Sequence, residues 1–173
     1  MARARPVMDL LAILAKFDRN GRDPAQKIGF ELPETAINDY LAFSLHVKPR
    51  PGIEGARVSL LPKNRVALEV DIDFASIVQW NSWTPPDFLR SLLSGRQTVR
   101  LNAEFAVNNG RAIINWKDAQ GPGGSAILHN VAVGLLQAIG SHQPESYDTT
   151  QPIPLPFGLK RIWTEKQLIG GET

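Results

Sequence analysis

Between Val66 and Phe74 apolar side chains recur at every second position, with Ala67, Glu69, Asp71 and Asp73 interleaved. That period places one side of a strand on a core and the other in water. Val58 and Leu60 begin a similar alternation. A loop at Pro62-Lys63-Asn64, where asparagine tolerates a left-handed backbone, would pair Leu60 with Val66 and Val58 with Leu68. Gln97 to Val107 alternates again, with Val99, Leu101, Ala103, Phe105 and Val107 on one side, and runs into Asn109-Gly110. If that dipeptide forms a two-residue hairpin loop, Val107 faces Ala112, Phe105 faces Ile114 and Ala103 faces Trp116. Both strands then bury the same side.

Helical spacing appears elsewhere. Val7, Leu10, Leu11, Leu14 and Phe17 follow the i, i+3, i+4, i+7 pattern of an amphipathic helix. Arg3 and Arg5 ahead of this short apolar stretch also suit a signal peptide, so residues 1–24 read as an N-terminal amphipathic helix or a trimmed leader. Residues 25–173 read as one α+β domain. Within it, Lys27 to Leu32 is a short extended piece. Pro33 then opens a helix to about Val47, with Ile37, Tyr40, Leu41, Ser44 and Leu45 on one face and Asn38 and Asp39 turned away. The Lys48 to Gly52 run, with prolines at 49 and 51, ends that helix. Thr84-Pro85-Pro86-Asp87 supplies the start of another, with Phe88, Leu89, Leu92 and Leu93 as its stripe and Gly95 as its stop. Ala126 to Ile139 is apolar enough for a helix buried on most sides, entered by a short strand. Gln151 to Pro156 is an extended connector or edge, and Leu159 to Ile169 a last hairpin turning at Glu165-Lys166. The fold class is therefore α+β, a long antiparallel sheet of hairpins wrapped around or packed against apolar helices.

Composition supports a folded chain with its own core: 173 residues, 43% hydrophobic and 21% charged. The formal charge is only +2, which argues against nucleic acid as the partner. With no cysteine, disulfides, thiolate metal sites and cysteine nucleophiles are excluded. The longest apolar stretches, Val7 to Ala15 and Val131 to Ile139, fall short of the ~20 residues that span a bilayer.

Candidate chemistry is sparse. His46, His129 and His142 are scattered, and no Gly-x-Ser-x-Gly elbow occurs. Gly121 to Gly124 is not followed by the lysine of a phosphate-binding loop, so it reads as a turn. Glu69, Asp71 and Asp73 share one strand side and could gather a divalent cation, but the turn glycine and distal glutamate of a calcium loop are missing; a solvated face is the simpler reading. Arg57, Lys63, Arg65, Arg96 and Arg100 could line an anionic-headgroup site, but the alternation makes a solvated strand side the simpler account. Trp116 falls on the dry face by register, whereas Trp80 and Trp83 lie in a loop.

The order of these elements carries a family resemblance. It begins in Ile37-Asn38-Asp39-Tyr40-Leu41, Pro51-Gly52-Ile53, Arg57-Val58 and Asn64-Arg65-Val66. It continues through Leu92-Leu93-Ser94-Gly95, the second hairpin, the apolar helix and Leu155-Pro156-Phe157-Gly158-Leu159. From Lys27 to Ile169 the chain resembles tubular lipid-binding (TULIP-like) domains of the cell envelope, the LmeA-like and AsmA-like group. The resemblance implies a curved sheet around a helix, an apolar groove for acyl chains, a bacterial envelope or periplasmic location, and no catalytic residue or cofactor. Unlike such proteins, the chain has no lipidated cysteine.

The expected function is thus noncatalytic binding or transfer of a lipid or hydrophobic small molecule, without cofactor, metal or nucleic acid. The expected ligand contacts are Ile37, Leu41 and Leu45 on the first long helix, Leu68, Val70 and Ile72 on one strand, Leu101, Phe105, Ile114 and Trp116 on the second hairpin, and Leu135 and Ile139 on the apolar helix. Peripheral membrane contact fits the same picture. The rivals are a filled-core module that meets a protein partner through a strand edge or the N-terminal helix, and a hydrolase or isomerase with a histidine and a carboxylate in an apolar pocket.

Overall fold

The computed structural model of the chain describes residues 2–50, 52–78, 94–141, 148 and 151–173. The helix expected after Thr84, its Phe88, Leu89, Leu92 and Leu93 stripe, Trp80, Trp83 and His142 lie outside the described residues.

Helix α1 covers Arg5–Arg19 and buries Val7, Leu14 and Phe17. Each such side chain contributes about 1.5–3 kcal/mol when removed from water. Strand β1 is Gly29–Pro33, and α2 is Glu34–Val47. Pro33 sits just before the helix with an extended backbone, where its lack of an N–H costs nothing. Val7, Leu32 and Ala36 form one core cluster, joined by Leu10, Leu11, Phe30, Ile37, Tyr40 and Ile169. α1, α2 and β1 are therefore one packed unit.

Strands β2 (Ile53–Leu61) and β3 (Arg65–Asp73) form the first hairpin with Leu60 opposite Val66 and Val58 opposite Leu68, the register expected from the sequence. Lys63 and Asn64 both turn with positive φ, 63° and 56°. Strand β4 (Arg96–Asn108) joins β5 (Arg111–Gln120) through Asn109-Gly110, and Val107 faces Ala112, Phe105 faces Ile114 and Ala103 faces Trp116 as the alternation requires. A bulge after Asn102 then shifts the register. β6 (Ala126–Ile127) and β7 (Ile153–Pro154) pair with opposite ends of β5. The large sheet runs β2-β3-β4-β5, with β6 and β7 sharing the outer edge.

Two expectations need correction. The first strand alternation does not extend to Phe74, which begins helix α3 (Phe74–Val78) and is almost fully enclosed. Asp73 turns the chain there: its carboxylate accepts from Ala75 N–H at 3.0 Å and Ser76 Oγ at 2.8 Å. The Phe74 N–H meanwhile donates to the carbonyl of Gly95, whose φ is +66°. The final hairpin, β8 (Arg161–Glu165) and β9 (Leu168–Glu172), turns one residue later than expected, at Lys166-Gln167, because Gln167 takes the left-handed conformation. The hairpin lies outside the large sheet. β9 pairs with β1, giving a separate sheet in the order β1-β9-β8.

Glycines make that small sheet fit. A Cβ at Gly170 would collide with the Trp163 ring, and one at Gly171 would lie 2.6 Å from the Phe30 ring. Each aromatic side chain lies across its paired glycine, which restores packing where the strand has none of its own.

The two sheets are locked at the β2–β3 turn. Thr164, buried, donates through Oγ1 to Leu61 O at 2.7 Å, while its N–H donates to Asn64 Oδ1 at 3.0 Å. Helix α4 (His129–Ser141) follows β6 and packs on β5. No helix among the described residues is long and apolar enough to cross a membrane.

Candidate functional site

The large sheet's dry face is built by the alternation itself. Val70 faces Val99, Leu68 faces Leu101, and Ala119 follows across β4. Val70, Ile72, Phe74, Val99, Leu101 and Ala119 form a core with Ile127, Val131 and Ala132 from β6 and α4. Val99 is fully enclosed and Leu101 only 3% exposed, so this end is solid. Leu68 and Trp116 pack against it but remain half-buried, as does Ile114. Phe105, opposite Ile114, is buried. A strip of apolar surface thus continues past the closed core.

Trp116 carries the polar feature of this strip. Its Nε1 is buried and has no hydrogen-bond partner among the described residues. Indole N–H groups ordinarily find an acceptor when they leave water.

Of the expected contacts, the structure brings Leu68, Val70, Ile72, Leu101, Phe105, Ile114 and Trp116 to one face. It does not bring the α2 residues there. Ile37 packs in the other core cluster, with residues of α1 and β1. Leu45 instead lines an open cavity of about 500 Å3 with His46, Arg57, Glu69, Asp71 and Thr98, on the sheet's wet side. Leu41 is half-buried on the same helix. Leu135 and Ile139 belong to α4, but their side chains lie outside the described residues.

The reason lies in two α2 side chains. Asn38 is not turned away: its Nδ2 donates to Val58 O and its Oδ1 accepts from Val58 N–H, both at 2.8 Å. Glu34, one turn earlier, accepts from Leu60 N–H at 2.6 Å. Gln167 N–H closes the row by donating to Leu60 O at 3.0 Å. α2 is thereby fastened along the outer edge of β2 as a substitute strand. The i, i+4 spacing of Glu34 and Asn38 put both on one helix face and was the available signal.

The ionisable groups are engaged locally. Glu69 pairs with Arg100 at 3.6 Å, Glu54 with Arg96 at 2.9 Å, and Asp71 accepts from Thr98 Oγ1 at 2.6 Å. The Ser76 hydroxyl bond, aided by the Ala75 and Ser76 N–H groups and the Arg96 charge, holds the Asp73 carboxyl below its ordinary value against the opposing pull of burial. Among the described residues no three potential metal ligands gather. His46 and His129 are exposed. His46 borders the open cavity that Glu69 and Asp71 also line, but neither histidine is hydrogen-bonded to a carboxylate among the described residues, the orientation that the hydrolase rival requires.

No protein-family model matches this sequence, and no curated protein matches it.

Proposed function

We propose that the protein binds a lipid or other hydrophobic ligand without catalysis, on the apolar strip formed by Leu68, Ile114 and Trp116 beside the closed core. The observation that carries this reading is the buried Trp116 indole N–H, without an acceptor among the described residues, on an otherwise apolar face. Ligand sites in proteins combine such apolar walls with a few polar groups that fix orientation. An amphiphile whose carboxylate or ester oxygen reaches Trp116 would satisfy both requirements. The family resemblance from Lys27 to Ile169 supports the same reading, and with it a bacterial envelope location.

The test is native mass spectrometry with lipid extraction on protein purified without detergent. A co-purifying lipid near one per chain, retained by the native protein and depleted in a folded Leu68→Asp variant, is the expected result. An unliganded mass that stays unchanged after incubation with envelope lipids refutes it.

The filled-core alternative has its own support, since the α4 end of the face is solid around Val99 and Leu101. In that reading the protein is a structural or interaction module of the envelope, and the Leu68→Asp variant would lose stability without any change in bound lipid.

A further inference from the structure

The outer face of α1 combines features that the dry-face ligand does not use. Arg5, Asp9, Ala12, Lys16 and Arg19 are spaced alternately four and three residues apart, so they form one stripe along the helix, and all are exposed. Met8 and Ile13 flank that stripe on either side, 37% and 53% exposed. The opposite stripe is occupied, with Val7, Leu14 and Phe17 buried against the protein. Among the described residues Arg5, Lys16 and Arg19 make no ion pair, whereas Arg22 is tied to Asp18.

Charge is concentrated here. Residues 2–22 hold five basic side chains (Arg3, Arg5, Lys16, Arg19, Arg22) and two acidic ones (Asp9, Asp18), a net +3 against +2 for the whole chain. The remainder is therefore −1. On the stripe itself Arg5, Lys16 and Arg19 outweigh Asp9, so this one exposed face carries a net +2.

We infer that this face docks the folded protein on an anionic lipid surface. Cations near such a surface each contribute to attraction that falls off within a Debye length, about 10 Å at 0.1 M salt. The Met8 and Ile13 side chains would rest at the headgroup boundary. α1 has already committed its main apolar stripe to the core, so the contact is shallow, reversible and salt-sensitive. The inference concerns a different surface from the Trp116 strip and does not depend on it.

The experiment is sedimentation of the intact protein with phosphatidylcholine vesicles and with phosphatidylcholine–phosphatidylglycerol vesicles, at low and high salt. Binding to the anionic vesicles alone, released by salt, is expected. Arg5→Gln/Lys16→Gln/Arg19→Gln should weaken it on the order of 100-fold, and Asp9→Asn should strengthen it about fivefold, because each charge change acts with similar weight. Met8→Ser/Ile13→Ser should weaken it too. These positions are exposed, so thermal unfolding should be unchanged and confirms that the variants fold. Equal binding to both vesicles, an undiminished triple variant, or no binding to anionic vesicles at low salt overturns the inference; so does capture of an acidic protein by a face that ignores vesicles. The triple variant should keep any lipid seen by native mass spectrometry, which separates failure here from failure of the ligand reading.

Discussion

Replacing Asn38 tests how the fold protects its sheet edge. The side chain makes two 2.8 Å hydrogen bonds to one residue, taking the N–H and satisfying the C=O of Val58. Each such bond contributes about 0.5–1.5 kcal/mol net, so both together contribute about 1–3 kcal/mol. Alanine regains up to about 0.7 kcal/mol of helix propensity at a mid-helix position. Asn38→Ala should therefore lose about 1–2 kcal/mol, measured as a lower urea midpoint at unchanged slope. Asn38→Asp is the sharper variant. It keeps the acceptor for Val58 N–H but sets a carboxylate oxygen against the Val58 carbonyl, so it should cost more than alanine despite its nearly identical shape. Amide exchange gives the local readout: Val58 N–H should lose protection in both variants, while Val99 N–H in the central strand changes only with global stability. A loss below about 0.5 kcal/mol with unchanged Val58 exchange would show that Asn38 does not hold the edge.

Gly171→Ala should destabilise the small sheet by about 1–3 kcal/mol, because the new Cβ would sit 2.6 Å from the Phe30 ring and the strand cannot retreat between two partners; thermal unfolding reads it directly. Asp73 has a lowered pKa in the folded protein, so its contribution is present above the unfolded value of about 3.9 and is lost as pH falls through the lower folded value. Asp73→Asn should consequently be less stable than the native protein at pH 7 and show a flatter acid limb below about pH 4 in a stability–pH series. Trp116→Phe removes the unpaired donor, whose burial costs about 1–3 kcal/mol, in exchange for a smaller ring. The ligand-free variant should be no less stable by more than about 1 kcal/mol, yet retain less of any acceptor-bearing lipid; a large loss of stability with unchanged lipid would mean that the ring, not the N–H, matters.

Strand register was readable because the alternation leaves one answer: slipping β2 against β3 by one residue would turn Val58 and Leu60 toward water. Asn109-Gly110 fixed the second hairpin in the same way, through a turn few other dipeptides enter. Periodicity could not say which sheet a strand joins. The Leu159–Ile169 hairpin has the same local signature whether it extends the large sheet or pairs with β1, and that choice rests on long-range contacts such as Thr164 with Asn64. Nor could the apolar face of α2 reveal its partner. Ile37 and Leu41 fit a sheet face or a second helix equally well, and it is the polar pair Glu34 and Asn38 that selects the β2 edge. The candidate strip was legible only on the strands, since an apolar position in sequence does not say whether the space opposite it is filled.

This edge arrangement also limits how a protein partner could attach. A partner adding a strand to β2 would have to displace Asn38 from Val58, Glu34 from Leu60 N–H and Gln167 from Leu60 O, four hydrogen bonds already made within the chain. New strand bonds would merely replace them, with no net gain to offset the cost of ordering a second chain. At β5 the outer edge is occupied at both ends, by β7 at Arg111-Ala112 and β6 at Ala119-Gln120, and a bulge interrupts the strand between them. Strand addition is thus opposed at both borders of the large sheet. The N-terminal helix has no such obligation on its outer face, where Arg5, Lys16 and Arg19 are exposed, and association through α1 requires no bond within the fold to be broken.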